Sequence, residues 1–370
     1  MQDIIIIGGG LAGLVAAIDL RKRGFEVLLI EKKTYPFHKV CGEYVSNEVK
    51  PYLQRLGLDV SQLGAKQITR FQFSSPSGKS LETPLDLGGF GISRFVLDQA
   101  LYQLGLSLGI NYVLGQSVTD ARQEKAIFEV YTSDGQAYSS KIVLGSYGKR
   151  SNLDVVLERD FFKKRSPYIG VKYHIQTDFP QDLIALHNFK DGYCGISAIE
   201  GNTHCLCYLS SRKNLKKAGS IENLQKNVLS KNPHLKKIFE DSIFLYDKPE
   251  VINEISFAPK KAVENGILMI GDAAGLITPL CGNGMAMAIH GAKIVSGLVD
   301  DFLQKRITKT QLEQQYQQAW QSQFGQRLWV GRNVQRFFGS ELLSELALLF
   351  FKTIKPALGF VIKLTHGKEF

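Results

Sequence analysis

Four consecutive β-branched residues, Ile4 to Ile7, begin the pattern of apolar positions. A short run without alternation predicts a strand of a parallel sheet, buried on both faces. Leu11 to Arg23 then has helix-forming composition with Gly24 placed as its C-cap. Val27 to Ile30 is a second apolar run, and it ends on Glu31. Later stretches alternate: Ile68 to Ser74, Tyr168 to Gln176 and Thr203 to Leu209 read as half-buried strands. Turn signals such as Pro76-Ser77-Gly78 and Asp191-Gly192 separate them, which predicts an antiparallel sheet, with Ser220 to Ser230 as a helix beside it. Gly266 to Ile270 is again continuous and apolar, runs into Gly271-Asp272, and is followed by Pro279, Gly282-Asn283-Gly284 and a helix from Met285 to Leu298. Residues 308–370 read as helical. There Leu346, Leu348, Leu349, Phe350, Phe351, Ile354 and Leu358 form one apolar face near helical spacing.

The turn after the first strand is Gly8-Gly9-Gly10-Leu11-Ala12-Gly13, which fits G-x-G-x-x-G between a strand and a helix. Each glycine has a physical task. Gly8 permits the tight turn, Gly10 lets a pyrophosphate approach the backbone, and Gly13 lets helix and strand pack closely. The pyrophosphate would sit on the free N–H groups and positive end of the helix dipole. Glu31 ends the next strand, 23 positions after Gly8, where a carboxylate accepts hydrogen bonds from a ribose diol and repels a 2′-phosphate. Strand, glycines, helix, strand and acid in register predict a dinucleotide site that disfavours NADP.

Composition adds limits rather than identity. The 370 residues are 44% hydrophobic and 22% charged, an ordinary globular balance. The net charge is +10, carried in short runs such as Lys32-Lys33, Lys149-Arg150, Lys163-Lys164-Arg165, Lys216-Lys217 and Lys260-Lys261. A solvated basic surface, attraction to anionic cofactors or substrates, and attraction to a membrane surface all fit. No basic stripe is interleaved with aromatics, so no nucleic-acid partner is expected. Five scattered cysteines (Cys41, Cys194, Cys205, Cys207, Cys281) make neither a disulfide framework nor a metal-finger spacing, so no metal is assigned and the cytosol is the expected compartment. Cys205 and Cys207 share one face of their strand, as core packing. Met1-Gln2-Asp3 leads straight into Ile4 without a secretory pattern. Leu342 to Leu364 is broken by Glu345, Lys352, Lys355, Pro356 and Lys363, which excludes a low-cost bilayer span.

Gly271-Asp272 with the later glycine turn and helix resembles the FAD-binding pattern of the glutathione-reductase-type flavoproteins. By that resemblance Asp272 contacts the ribityl or pyrophosphate side, and Gly284 and Met285 contact the flavin ring. Within that superfamily the chain is similar to the geranylgeranyl reductase and aromatic hydroxylase-like branch. Cys41-Gly42-Glu43 looks like the Cys-Gly loop that runs along the flavin in geranylgeranyl reductases. Arg94, opening a helix after Ser93, is similar to the Arg that reaches the FAD, and Val118 matches the position whose backbone meets the adenine. The resemblance covers most of residues 1–300. Tyr147-Gly148 stands where many hydroxylases carry Asp-Gly, and Gly192 to Ser197 carries neither the W-x-W-x-I-P of tryptophan halogenases nor an intact aromatic substrate motif of archaeal geranylgeranyl reductases.

The expected fold is α/β: a Rossmann-like FAD-binding domain (1–65, 91–164 and 258–305), an inserted antiparallel-sheet substrate domain (66–90 and 165–257) and a C-terminal helical region (306–370). The cofactor contacts are Gly8, Gly10, Ala12, Gly13, Glu31, Cys41, Gly42, Arg94, Val118, Asp272, Gly284 and Met285. The resemblance implies a FAD-dependent oxidoreductase acting on a lipophilic or aromatic small molecule, first as a reductase of C=C bonds, alternatively as a monooxygenase, then as a halogenase. A flavin-binding module without turnover is the alternative of another class. No second strand–glycine–helix unit is visible, so NADH or NADPH visits transiently or an electron-donor protein supplies electrons. Cys41 (nearest the substrate by resemblance), Glu43 and Tyr193 are the candidate catalytic residues, with Tyr44 a further proton carrier and His290 a core or helix-surface residue. The lack of C-x-x-C argues against a disulfide shuttle. The C-terminal apolar face packs on the body, flaps over a lipophilic tunnel, or makes a peripheral membrane contact helped by Lys352, Lys355 and Lys363.

Overall fold

A computed structural model describes the chain except residues 164–165, 254, 278–282 and 335–339. Lys164, Arg165, Pro279, Cys281 and Gly282 therefore lie outside the described residues. In order, the elements are β1 (Gln2–Ile7), α1 (Leu11–Lys22), β2 (Val27–Glu31), β3 (Tyr44–Ser46), α2 (Lys50–Leu56), β4 (Lys66–Ser74), β5 (Ser80–Gly91), α3 (Arg94–Ser107) and β6 (Asn111–Leu114). Next come β7 (Val118–Glu124), β8 (Ile127–Thr132), β9 (Ala137–Gly145), α4 (Leu153–Val156), β10 (Tyr168–Gln176), β11 (Leu183–Phe189), β12 (Gly192–Ile199) and β13 (Thr203–Ser211). The remainder is α5 (Arg212–Ala218), α6 (Ile221–Asn227), α7 (Pro233–Asp241), β14 (Ile243–Phe244), β15 (Glu250–Asn253), β16 (Val263–Glu264) and β17 (Ile267–Met269). Four helices close the chain: α8 (Gly284–Leu303), α9 (Lys309–Val334), α10 (Glu341–Thr353) and α11 (Lys355–Thr365).

The first sheet has the order β16-β17-β9-β1-β2-β6, and from β17 to β6 every pairing is parallel. Ile4 to Ile7 are buried, as a central strand covered on both faces requires. The α1 and α8 helices pack together against this sheet with their small residues inward. This is the predicted Rossmann-like core. β7 and β8 form a meander that pairs onto β9.

The second sheet runs β14-β10-β13-β12-β11-β4-β5-β3, with β15 also on β10. It is antiparallel except for one pair: β11 runs parallel to β4. The chain visits this sheet twice, leaving through α3 after β5 and returning at β10, so the strands that meet between the two visits need not be hairpin partners. On one face Val171, Tyr173, Cys194, Ile196, Leu206 and Tyr208 pack against Leu224, Leu235 and Ile238 of α6 and α7. Each such buried aliphatic side chain contributes about 1.5–3 kcal/mol relative to exposure. The opposite face of β10, β12 and β13 therefore presents the alternate residues, among them Lys172, His174, Tyr193, Cys205 and Cys207.

Two helical expectations need correction. The helix predicted for Ser220 to Ser230 is shorter: Ser220 caps α6 by accepting from the Asn223 N–H at 3.1 Å. Val228 then leaves helical geometry, and a 3₁₀ turn at Leu229–Lys231 carries Leu229 into the core. The C-terminal apolar residues do not share one face. Leu348 and Leu358 are buried, whereas Leu346, Leu349, Phe350 and Ile354 are 45–63% exposed. A break at Ile354 separates α10 from α11, so the stripe is split between an inward and an outward side. Among the described residues no helix is long and apolar enough to cross a membrane.

Candidate functional site

The glycine turn behaves as its spacing requires. Gly8 has φ +102°, and a Cβ there would lie 2.7 Å from the Ser146–Tyr147 backbone. A Cβ on Gly13 would lie 2.2 Å from the Gly8 carbonyl oxygen, so this glycine is a packing requirement. Gly10 differs. A Cβ there would make only ordinary contacts, with Lys39 Nζ at 3.5 Å, the Ser146 carbonyl oxygen at 3.9 Å and an Arg94 guanidinium nitrogen at 4.0 Å. Gly10 is also the N-cap of α1, so the free N–H groups and two cations converge on one cradle. Glu31 accepts from the Gly9 N–H at 2.7 Å and the Lys33 N–H at 3.1 Å, which leaves lone pairs of its carboxylate for a diol.

The second motif folds against the first. Gly271 has φ +60°, and its Cβ position lies 3.0 Å from the Ala12 side chain. Ile270 donates to the Gly145 carbonyl at 2.9 Å, holding the Asp272 turn at the end of the first sheet. Asp272 receives no side-chain hydrogen bond from any described residue, although Lys260, Arg94, Lys149 and Lys39 surround it. Burial raises its carboxyl pKa, and those cations offset only part of the rise. Burial likewise pushes the Lys260 ammonium down to about 8, against the pull of Asp272. Arg94 opens α3 and pairs through two nitrogens with Asp98 at 2.7–2.8 Å; Asp98 also meets Lys39 at 3.3 Å. Gly284 and buried Met285 start the 20-residue α8, whose N-terminal dipole faces this region from the chain that follows Asp272. Val118 begins β7, just beyond β6, whose Leu114 pairs with Glu31. A cradle with no Cβ, an unpartnered carboxylate and flanking cations fit FAD: Gly8 to Gly13, Lys39 and Arg94 could hold its pyrophosphate and Asp272 its sugar chain.

The Cys41-Gly42-Glu43 loop crosses to the second sheet. Glu43 has φ +54° and is fully buried. One carboxylate oxygen accepts from Lys172 Nζ at 2.5 Å and the Arg94 N–H at 2.8 Å, and the other meets His174 Nε2 at 2.6 Å. Burial alone would raise its pKa, but the His174 hydrogen bond and the Lys172 ammonium hold it below the usual carboxylate range. Glu43 thus ties the loop, the start of α3 and β10 together as an anion. Cys41 sits partly buried, its carbonyl accepts from Cys205 Sγ at 3.3 Å, and burial raises its thiol pKa, so the thiol stays neutral at pH 7. Cys205 and Cys207 do share one face, as read from the sequence, but that face is this polar one. The ligand atoms of Glu43, His174 and Cys205 lie within 4.8 Å of one another. The Lys172 ammonium already occupies the anionic member, and a dication there would face it directly.

Tyr193 lies farther along the same face, in an apolar cluster with Leu186, Leu209 and Ile255, against which Phe257 and Leu276 pack. Leu276 belongs to the segment after Asp272, so this apolar patch adjoins the second motif. Tyr44 is buried and its hydroxyl meets His366 Nε2 at 3.4 Å. His290 stacks on Phe370 with ring centroids 3.8 Å apart, away from the cluster at Glu43. Tyr147 packs its hydroxyl on the Met269 sulfur at 3.3 Å. Sequence reading missed Lys39, Lys172, His174 and Lys260. A signal existed for two of them: Lys172 and His174 are basic residues at i and i+2 of an otherwise apolar strand.

Comparison with known proteins agrees with this architecture. Residues 6–48 match the NAD(P)-binding Rossmann-like domain family, and residues 194–323 match the squalene epoxidase family. Conditioned medium factor receptor 1 of Dictyostelium discoideum is 24% identical, over 91% of this chain and 71% of its own length. Digeranylgeranylglycerophospholipid reductase 1 of Methanococcoides burtonii is 24% identical, over 94% of this chain and 86% of its own. A triple mutant of the flavin-dependent brominase Bmp2 superposes with a TM-score of 0.81 at 19% identity, covering 99% of this chain and 94% of that one. The chain has the fold of FAD-dependent oxidoreductases and is similar to geranylgeranyl reductases and to flavin-dependent halogenases and monooxygenases.

Proposed function

We propose that the chain reduces C=C bonds of a lipophilic, isoprenoid-type small molecule, for which bound FAD supplies the hydride. The observation that carries this reading is the apolar patch of Tyr193, Leu186, Leu209 and Ile255, which meets Leu276 beside the Asp272 motif. In this reading residues 1–65, 91–164 and 258–305 hold the cofactor, and 66–90 with 165–257 cover the substrate. Gly8, Gly10, Ala12, Gly13 and Arg94 seat the pyrophosphate, Glu31 and Val118 the adenosine, and Asp272, Gly284 and Met285 the flavin half. Cys41 and Gly42 border the reacting edge, with Cys41 a neutral weak donor, and Tyr193 lines the substrate side. Two comparisons support an isoprenoid: the relative named for digeranylgeranylglycerophospholipid and the family named for squalene. NADH or NADPH visits the flavin transiently, or an electron-donor protein replaces it.

The squalene epoxidase match over 194–323 covers both Tyr193's neighbours on β12 and Asp272, and it favours oxygenation as the second reading. The exposed outer side of α10 (Leu342, Leu346, Leu349, Phe350), with Lys352 near its end, suits peripheral contact with a membrane that holds such a substrate. The test is anaerobic. Reduced holoenzyme is mixed with polyprenyl lipids without oxygen; flavin reoxidation matched to loss of double bonds supports the reductase. Flavin that stays reduced until air enters, with an oxygenated product then formed, moves the assignment to a monooxygenase.

A further inference from the structure

Five titratable side chains that the cofactor contacts do not use form one continuous hydrogen-bonded chain. Glu43 joins Lys172 on one oxygen and His174 Nε2 on the other, at 2.5 and 2.6 Å. His174 Nδ1 meets the Tyr246 hydroxyl at 2.7 Å, and that hydroxyl meets His38 Nε2 at 3.2 Å. Burial falls along this order: Lys172 and Glu43 are fully enclosed, His174 is 5% exposed, and Tyr246 and His38 are half-buried. Tyr246 sits between exposed Leu245 and Asp247. His38 stacks on Phe95 and touches both Tyr246 and His174 edge-on.

We infer that His38, Tyr246, His174, Glu43 and Lys172 form a proton route from the protein surface to the buried face of the second sheet, serving the proton that accompanies flavin-linked electron transfer. The inference rests on the reading that the Lys39–Glu43 loop borders the flavin. Flavin reduction takes up a proton with its electrons, and fully buried Glu43 and Lys172 stand next to the loop that borders the flavin in this reading. Lys172 is the inner end. It lies opposite Cys207 on β13, between the Glu43 cluster and the Tyr193 patch.

The transfers balance. Lys172 gives up one N–H proton and takes one from Glu43, which takes it from His174 Nε2. His174 Nδ1 then gains the Tyr246 proton, Tyr246 gains one from His38, and His38 takes one from water. Each bond broken is replaced by one formed at the next atom and the charge on every member is restored; His174 ends with its proton on Nδ1, and rotation of its ring between passes returns an N–H to Glu43. Because Glu43 rests as an anion and then only accepts, His174 Nε2 carries the proton between them at rest, leaving Nδ1 to exchange with Tyr246. The surrounding charges suit this. Burial, then Lys172 and His174, lowers the His38 pKa, with Glu43 and Glu250 opposing, so His38 rests neutral and both donates and accepts. Arg94, Cys41 and Cys205 are the other groups facing the cluster, and both thiols are raised by burial and stay neutral.

The experiment uses FAD-loaded protein, a photoreductant and a pH-indicator dye under anaerobic conditions, comparing flavin bleaching with proton uptake from solvent. In the natural protein the two coincide. In Tyr246→Phe, which keeps the ring and removes the hydroxyl, uptake lags on the order of a hundredfold behind bleaching, the size expected for loss of one positioned proton-transfer group. His38→Gln lags similarly and recovers when imidazole is added, which a merely structural role would not produce. Coincident uptake and bleaching in both variants, at full FAD content, would overturn the route. Loss of FAD from the unsubstituted protein would instead overturn the cofactor reading, so the two failures are distinct.

Discussion

Gly10→Ala separates the cofactor site from the fold. The new methyl would lie 3.5 Å from Lys39 Nζ, 3.9 Å from the Ser146 carbonyl oxygen and 4.0 Å from Arg94, all ordinary contacts. Gly10 has φ −77° and ψ 180°, extended geometry that alanine adopts without strain. Alanine is a poorer N-cap than glycine, but it gains about 0.4–1 kcal/mol from a less flexible unfolded chain. The cofactor-free variant should therefore unfold within about 1 kcal/mol of the parent. In the proposed reading the methyl occupies the space a pyrophosphate needs against the α1 N–H groups. Losing one charged hydrogen bond costs about 1.5–3 kcal/mol, a Kd for FAD weaker by about 10- to 150-fold. Gly13→Ala is the counter-case: its methyl would sit 2.2 Å from the Gly8 carbonyl and must displace α1, so the cofactor-free fold itself should melt lower. Urea unfolding of the apo forms and FAD fluorescence titration read the two effects separately. Unchanged FAD affinity in Gly10→Ala would refute the cradle.

Other substitutions probe the remaining parts. Glu43→Gln leaves the Lys172 ammonium buried without its anion and should cost about 3–5 kcal/mol in urea unfolding. Adding Lys172→Met to that variant should recover most of the loss, and no recovery would contradict the pairing. Lys260 has a folded pKa of about 8, below its ordinary 10.5, so its stabilisation is present above 10.5 and is lost as pH falls through about 8. Apo-protein stability measured across that window should decline toward pH 8, and Lys260→Met should flatten the decline. Leu348, buried in α10, should cost about 2–5 kcal/mol on change to Ala. Outward Leu349→Glu should stay within about 0.5 kcal/mol while weakening sedimentation with anionic vesicles, and equal vesicle binding would remove the membrane contact.

The parts legible in the sequence are those whose chemistry is local. Ile4 to Ile7, the glycine turn and Glu31 lie within one βαβ unit, and each residue's task follows from its neighbours in the chain. Gly271-Asp272 was legible for the same reason, as a buried strand ending in a turn. The polar face was not. His38, Glu43, His174 and Tyr246 are separated by up to 208 positions and meet only because β10 lies beside the loop after β2. Nor does alternation say which face of β10 is covered by helices; α6 and α7 chose the Tyr173 side and left Lys172 and His174 to the site. The parallel β4–β11 pairing follows from two separate visits to one sheet, which strand-by-strand reading cannot order. In α10 the apolar residues exceed one face, so periodicity could not tell Leu348, inward, from Leu349, outward.

The most direct test of the central claim is titration of cofactor-free protein with FAD and, separately, with FMN. In the proposed reading the glycine cradle, Arg94 and Glu31 serve the pyrophosphate and adenosine that FMN lacks, so one FAD should bind per chain and far more tightly than FMN. Equal affinity for the two, or no flavin bound at all, would contradict the account.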